Sequence, residues 1–401
     1  MPEDLRTESR TPADQATPAQ RRRLQVYVHL DHGRSPSRWT KMHEAGVVLD
    51  DTPYGYAWAA PHVDLTFSED VEEKRLQRLV RRGIYWGLGF EIVHAWRNRH
   101  LMRAAEVIWT HTEHEHLAIA LLMKLHVVRP TPLVAQCVWL WDQWDSLPRW
   151  RRALYRWLLE CASLHTTHSA LNAARAREVV GAPVVTVPFG IEPAFAVAGR
   201  EPGGDTIHVL APGNDRHRDW PLLREVARLN PDIEVVVMSR RRAARQLVTA
   251  DVPNFSVRVP SGTKDLIQGY DRADVVAVPL RPNLHVSGIT VALESVYSGR
   301  PLAITGVGGV TDYLQDAATY AEPGDPDSLA HAIRGAATHA GDAGWLRRTR
   351  DAVAGRGLTA RDYGLRHVAL SWAALEQPGP GRDQHLAVSS RFSTVTLPDQ
   401  T

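Results

Sequence analysis

The sequence predicts an α/β protein made of two doubly wound parallel sheets in tandem, with a cleft between them. Short β-branched apolar runs alternate with longer helical patterns along most of the chain. Those runs are nearly continuous in apolar residues, as expected of parallel strands covered by helices on both faces. The alternation breaks once, at the Pro/Gly-rich stretch EPAFAVAGREPGG (192–204), and then restarts. In the first half, LQVYVHL (24–30), EVIWTHT (106–112), PLVAQCVWL (132–140), LHTTHS (164–169) and PVVTVPFG (183–190) read as strands, with helices at 70–82, 114–125, 148–161 and 170–179. In the second half the strands are TIHVLAPG (206–213), IEVVVMS (233–239), FSVRVP (255–260), ADVVAVPL (273–280), RPLAIT (300–305) and ATYAE (318–322). Helices are expected between them at 220–229, 264–272, 289–298, 310–314 and 328–337. Residues 1–23 and 377–401 are polar and Pro/Gly-rich and read as disordered tails. The units are expected at 24–190 and 206–376, joined by a linker at 191–205.

Composition excludes several classes. The 401 residues carry 47 basic and 45 acidic side chains, a net charge of +2, too balanced for a dedicated nucleic-acid binder. Hydrophobic residues at 44% and charged ones at 23% do not describe a disordered chain. No apolar run is long enough to span a membrane, and the first residues lack the apolar stretch of a secretory signal, so a cytoplasmic location is expected. Two cysteines, Cys137 and Cys161, support neither a disulfide scaffold nor a Cys-based zinc site. There is no G-x-G-x-x-G after the first strand, no G-x-x-x-x-G-K-[ST], no H-E-x-x-H and no G-x-S-x-G. Conventional NAD enzymes, P-loop kinases, zinc proteases and α/β-hydrolases are thereby disfavoured.

The densest signal lies at 274–324. A strand runs into the loop 281–288 and then into a helix beginning at Ile289. Ser287 is a good N-cap and Gly288 removes a side chain where a ligand must come close. The free N–H groups of Gly288, Ile289 and Thr290 and the positive end of the helix dipole suit a diphosphate. Glu294, just over one turn in, is placed to accept hydrogen bonds from ribose hydroxyls. Without further support, the same residues describe an ordinary βαβ unit with a capped helix.

SGITVALESVYSGRPLAITGVGGVTDYL, followed by AEPGDPDSLAHAI, resembles the donor-binding domain of retaining GT-B glycosyltransferases of the family-4 type, or group 1. VPFGIEPAF (187–195) is similar to that family's interdomain hinge, APGNDRHRDWPLL (211–223) to its phosphate-holding strand, loop and helix, and YDRADVVAVPL to the strand before its donor loop. The resemblance spans about 187–337. It implies two Rossmann-like domains facing a central cleft, a nucleotide-sugar donor, transfer to an acceptor hydroxyl with retention of configuration, and no metal or other cofactor. The acceptor would be a glycan, a lipid-linked or a natural-product hydroxyl. One feature departs from the family: its E-x7-E pair is incomplete here, because eight residues before Glu294 stands Val286, with His285 beside it expected on the sugar or acceptor side. A nucleotide-sugar epimerase on the same fold and a catalytically lapsed binding module are the alternatives.

Other candidates sit at expected strand ends. In the basic loop 214–219, Arg216 and Arg218 are candidates for the donor diphosphate, the alternative being a solvated turn. Arg240 and Arg241 follow a strand and are either cleft residues or an exposed helix start. His111 and Glu113 are expected to face the cleft floor as catalytic groups or, equally, to cap a helix. The run His111–His116 looks like a metal cluster, but a strand-to-helix transition within it would scatter the side chains. His32, Gly33 and Arg34 follow the first strand and would lie on the sugar or acceptor side. Trp141 and Asp142 end another strand and either stack on and hydrogen-bond to a sugar, with Asp142 a catalytic candidate, or form a buried strand end. The 148–161 helix sets Trp150, Leu154, Trp157, Leu158 and Cys161 in a stripe beside Arg149, Arg152 and Arg156. Such a helix either rests peripherally on the inner face of an anionic membrane or, more ordinarily, packs its stripe on a sheet.

Overall fold

The structure, a computed structural model, describes residues 23–197 and 204–398. The expected N-terminal tail up to 22 and linker residues 198–203 lie outside the described residues.

Two six-stranded, all-parallel sheets organise the chain. The first holds β1 (Leu24–His29), β2 (Val63–Phe67), β3 (Val107–Thr110), β4 (Leu133–Gln136), β5 (Leu164–Thr167) and β6 (Val184–Thr186), in the order β2-β1-β3-β4-β5-β6. The second holds β7 (Ile207–Pro212), β8 (Ile233–Met238), β9 (Phe255–Arg258), β10 (Val275–Val278), β11 (Leu302–Thr305) and β12 (Thr319–Ala321), in the order β12-β11-β10-β7-β8-β9. Strand order reverses between β1 and β3 in one sheet and between β7 and β10 in the other. At such switch points neighbouring loops diverge and leave a crevice at the carboxyl ends of the strands.

Alternation along each strand builds two apolar layers per sheet. Tyr27, Ile108, Leu133 and Ala135 pack under the helices Glu113–Lys124 and Arg149–Leu159. The intervening Val26, Val28, Val107, Trp109 and Val134 face the other way, against Tyr363, Val368, Leu370 and Ala373. In the second unit Leu210, Val276, Val278 and Ile304 pack against the helix Ile289–Ser298, while Val209, Ala211, Val235 and Ala277 pack against Trp220–Leu229 and Pro326–Ala337.

Three differences from expectation follow from packing. Strand β2 was not foreseen: its residues VDLTF alternate apolar and polar, but the run is short and lies at a sheet edge, where only Val63 of the strand is buried. The helix expected at 70–82 runs Arg75–Leu88 instead. The third concerns the chain end: of the expected tail 377–401, the described part up to 398 does not remain one, since Pro380–Ser390 is helical, and the helix Ala360–Leu375 before it returns to the first sheet. Trp109 Nε1 donates to Ser371 Oγ at 2.7 Å, and the fully buried Arg366 donates to the carbonyls of Pro188, Gly357, Arg391 and Ser393. Gly190 makes the crossing possible, since a Cβ there would collide with the backbone of Leu358 and Thr359. Ile191 N donates to Leu358 O at 3.2 Å and Ala360 N to Ile191 O at 2.9 Å. The 148–161 stripe also resolves into packing: Tyr155, Leu158 and Leu159 are buried and Leu154 and Cys161 lie against the core, leaving Trp150 and Trp157 exposed. Among the described residues no helix is long and apolar enough to cross a membrane.

Candidate active site between the two units

A cavity of about 440 Å³ opens between the units. Trp39, Asp50 and Tyr54 line it from the first unit, Phe189–Phe195 from the hinge, and Asn214, Arg240, Thr290 and Glu294 from the second. Arg240, one of the two arginines with an ambiguous place in the sequence, is thus exposed on its wall.

Beside it, at the β7/β10 switch point, lies Arg218. Its backbone bridges Leu280, which pulls the side chain inward between two strand ends. The residue is 3% exposed, and its Nε and Nη1 have no hydrogen-bond partner. Burial lowers its pKa to about 10, so it stays a cation at neutral pH. A buried guanidinium with idle donors is costly unless an anion completes it. Two glycines make the space: a Cβ on Gly213 would sit 2.8 Å from Arg218 Nε, and one on Gly288 2.9 Å from Nη1 and 2.7 Å from Val278 Cγ1. Gly288, at φ +80°, is itself the N-cap of the 289–298 helix, a place expected for Ser287. Ser287 is buried instead, with its Oγ unpartnered. Arg218 and the helix start at Gly288 therefore meet in one cradle beside the unpartnered Ser287 Oγ, while the Ile289 N–H, expected to be free, donates to Val286 O at 3.3 Å. Ile289 faces the core, Thr290 reaches the cavity, and Arg216 is exposed on the loop's outer side.

Glu294 lies where the helix pattern put it, on the cavity wall, and accepts a hydrogen bond from Tyr270 Oη at 2.8 Å. Burial pushes its pKa up to about 7, with Asp50 adding to the rise and Tyr270 and Arg218 opposing it. Asp50, across the cavity, is raised to about 6, chiefly by burial. Val286, at the incomplete E-x7-E position, is 5% exposed and packs in the second unit's core.

His285 joins the units. Its Nδ1 lies 2.7 Å from Asp142 Oδ2, and Asp142 Oδ1 accepts the Leu284 N–H at 2.6 Å. On the other side His285 Nε2 is 3.6 Å from Asp215 Oδ2, while Asp215 Oδ1 accepts the His217 N–H at 2.6 Å. Burial would lower the His285 pKa, but the hydrogen bond to Asp142 and the neighbouring Asp142 and Asp215 charges outweigh it and raise it to about 9. The imidazolium and its two carboxylates form a clasp across the cleft. Asp142 is consequently occupied with the 281–288 loop rather than free in the cavity. Trp141, expected to stack on sugar, is 2% exposed and packs against Trp144 in the first unit's core.

The other first-unit candidates separate. His111 stacks on Tyr54, ring centres 3.6 Å apart, and its Nδ1 meets Tyr56 Oη at 3.1 Å, so it lies one layer behind the cavity wall. Burial, with His168 and His367 nearby, holds its pKa well below the ordinary value. Glu113 does not face the cavity: its Oε2 accepts the N–H groups of Val138 (3.0 Å) and Trp139 (3.2 Å). Glu115 likewise accepts from Thr112 N at 3.0 Å and Asp31 N at 3.1 Å, so the carboxylates of the 111–116 run serve separate backbone groups. His32 pairs with Asp70 at 3.1 Å, Gly33 at φ +94° donates to the same carboxylate, and Arg34 is exposed beside Trp39. Two groups among the described residues have metal-ligand spacing, His32–Asp70–His94 and Asp215–His217–His285. Both are tied by hydrogen bonds, Asp70 accepting from Gly33, Ser35 and His32.

Sequence reasoning missed Tyr54, Asp50, Tyr270 and Asp215. Asp215 and His217 lie inside the basic loop, between arginines that dominate its charge pattern, and form a carboxylate–imidazole pair there. Gly213, directly after a strand, was a visible signal of close approach.

Residues 217–339 match the family model described as Glycosyl transferases group 1. The second unit carries a group 1 glycosyltransferase domain. The matched stretch begins one residue before Arg218 and includes Ser287, Gly288 and Glu294, but not Gly213. No curated protein matches the chain in sequence. Among solved structures it is similar to Anabaena Alr3699/HepE in complex with UDP and glucose, at TM-score 0.59 and 12% identity over 87% of this chain and 99% of that one. It is also similar to sucrose-phosphate synthase from Thermosynechococcus elongatus, at TM-score 0.63 and 17% identity over 88% and 99%, and to a glycosyltransferase from Rickettsia africae, at TM-score 0.56 and 11% identity over 88% and 100%. At these identities the likeness is one of fold, and the fold is GT-B: two α/β units facing a cleft, as expected. The group 1 domain supplies the second of them.

Proposed function

We propose that this group 1 glycosyltransferase moves a sugar from a nucleotide-sugar donor to an acceptor hydroxyl with retention of configuration, in the manner of the family-4 type and without a metal. The carrying observation is Arg218: a buried cation with idle donors, held open by Gly213 and Gly288 at the start of a helix. Diphosphate is a dianion or more, and this cradle offers fixed charge and N–H groups where charge develops as the leaving group departs. Glu294, on the cavity wall, would accept the ribose hydroxyls. Retention is supported by the resemblance alone. In that chemistry the bond from the anomeric carbon to the diphosphate breaks, the acceptor oxygen bonds to the same face, and the acceptor proton passes to the departing phosphate oxygen. No dedicated base is then required, in keeping with the engagement of Asp142 and Glu113 elsewhere.

UDP is the nucleotide to test first, since the structure of HepE was determined with UDP and with UDP-glucose. A panel of nucleotide sugars should give nucleoside diphosphate release that rises with an acceptor and persists in chelator, with product anomer read by NMR. Inversion would remove the retaining reading, and loss in chelator the metal-free one. Val286 favours one competing reading, a module that binds nucleotide sugar without turning it over. Nucleotide binding without release of product from any donor would select it.

A further inference from the structure

The helix Arg75–Leu88 is mounted inside out. None of its residues is buried, and its apolar side chains face solvent: Leu76 is 72% exposed, Leu79 58%, Val80 53% and Trp86 73%. At 3.6 residues per turn Leu76, Leu79, Val80, Gly83, Ile84 and Gly87 share one face, and Trp86 lies at its margin. The inward face is the polar one. Arg81 Nε and Nη1 bind Glu73 at 2.9 Å and Glu91 at 2.7 Å, and Tyr85 meets the His114 ring edge-on. The C-terminal end is fixed by Arg151, which donates to the carbonyls of Trp86 and Gly87. The neighbouring 149–159 helix, tied to this end by Arg151, carries the exposed Trp150.

We infer that this helix seats the protein on an anionic lipid bilayer, its apolar face in the acyl boundary. Three observations choose a bilayer over other occupants. Exposed Lys74, Arg75, Arg78 and Arg82 run along one flank, with Glu72 the exposed carboxylate nearest in sequence, which matches phosphate headgroups. Gly83 and Gly87 have nothing within 4 Å of a Cβ position, so the face is smooth and fits no particular knob of a protein partner. Two indoles at the border suit the headgroup level, where one end of the ring is apolar and the other wet. A second copy docking antiparallel, about a two-fold axis across the helices, would bring arginines against arginines.

The inference stands apart from the proposed glycosyl transfer, because its test reads binding. The full chain is sedimented with phosphatidylcholine vesicles containing about one-third phosphatidylglycerol, and with pure phosphatidylcholine. Partition into the anionic vesicles should fall at least about tenfold in Leu79→Ser/Trp86→Ser and in Arg75→Ala/Arg78→Ala/Arg82→Ala, and on raising salt. Trp157→Ser, exposed elsewhere, should leave it unchanged. All these positions are exposed, so an unaltered thermal midpoint verifies folding. Absence of binding to anionic vesicles, or binding indifferent to both variants, overturns the inference. So does a dimer in light scattering that the Leu79→Ser/Trp86→Ser variant dissociates, which would assign the face to a second copy.

Discussion

Arg218 and Glu294 make opposite demands on the fold, and each can be tested by a single substitution. Replacing Arg218 by Ala removes idle donors and a buried charge, so UDP affinity should drop by about 1.5–3 kcal/mol, the worth of a charged hydrogen bond. Titration calorimetry checks this; unchanged affinity would remove the cradle as the phosphate site. Gly288→Val meets both a positive φ and the Val278 and Arg218 contacts, and should abolish binding. Glu294 runs the other way. Its pKa is raised from 4.5 to about 7, so it adds stability below pH 4.5 that is lost as pH rises through 7. Glu294→Gln should therefore raise the thermal midpoint at pH 8 while narrowing the preference for UDP over 2′-deoxy-UDP. A variant that keeps the preference would make Glu294 structural. Both residues were legible in the sequence, because a glycine, a helix start and a carboxylate one turn in have a local geometry. Glu113, Trp141 and Asp142 were not. A strand end tells which way the chain is heading, but the partner of each side chain is decided by distant backbone: Val138 and Trp139 for Glu113, Leu284 for Asp142.

At the level of elements, the clasp between the helix at 140–143 and the 281–288 loop couples the two units to pH. His285 is raised from 6.5 to about 9, so its contribution is fully present below pH 6.5 and lost as pH rises through 9. Asp142→Asn keeps an acceptor for Leu284 N–H but loses the charge. Wild type should have the higher thermal midpoint at pH 7, and the gap should close by pH 10. An equal gap at both pH values would mean that the contact carries no charge. Helices and buried strands were readable because their apolar periods are strong, and 289–298 falls on its expected residues. The segment 53–88 was not. Its apolar residues are spent on an irregular turn, an edge strand and an outward-facing helix, so pattern and burial part company there.

Across the whole molecule, histidines are buried in numbers that a charged form would not tolerate. Burial lowers His94, His165 and His168 to about 4 and His116 and His367 to about 3. Their contribution is intact above the unfolded value of about 6.5 and is lost as pH falls from there through 4 to 3. Unfolding between about pH 6 and 4 is expected by circular dichroism; a midpoint stable to pH 4 would mean that these rings are hydrated. The two-unit plan was visible in the sequence, whereas the return of 358–398 to the first sheet was not, since a Pro/Gly-rich stretch such as QPGPG reads alike in a tail and a turn.

That return sets an order of events during synthesis. The strands of the first sheet leave the ribosome complete by residue 186, but Tyr363, Val368, Leu370 and Ala373, which cover Trp109 and Val134, come only after the whole second unit. At ribosomal rates the wait is on the order of ten to forty seconds. During it the nascent first half holds an uncovered apolar layer and is open to chaperones and to aggregation. A fragment ending before residue 206 should accumulate insolubly unless a peptide covering 358–398 is supplied with it. The half of the molecule that is made first is the half that is finished last.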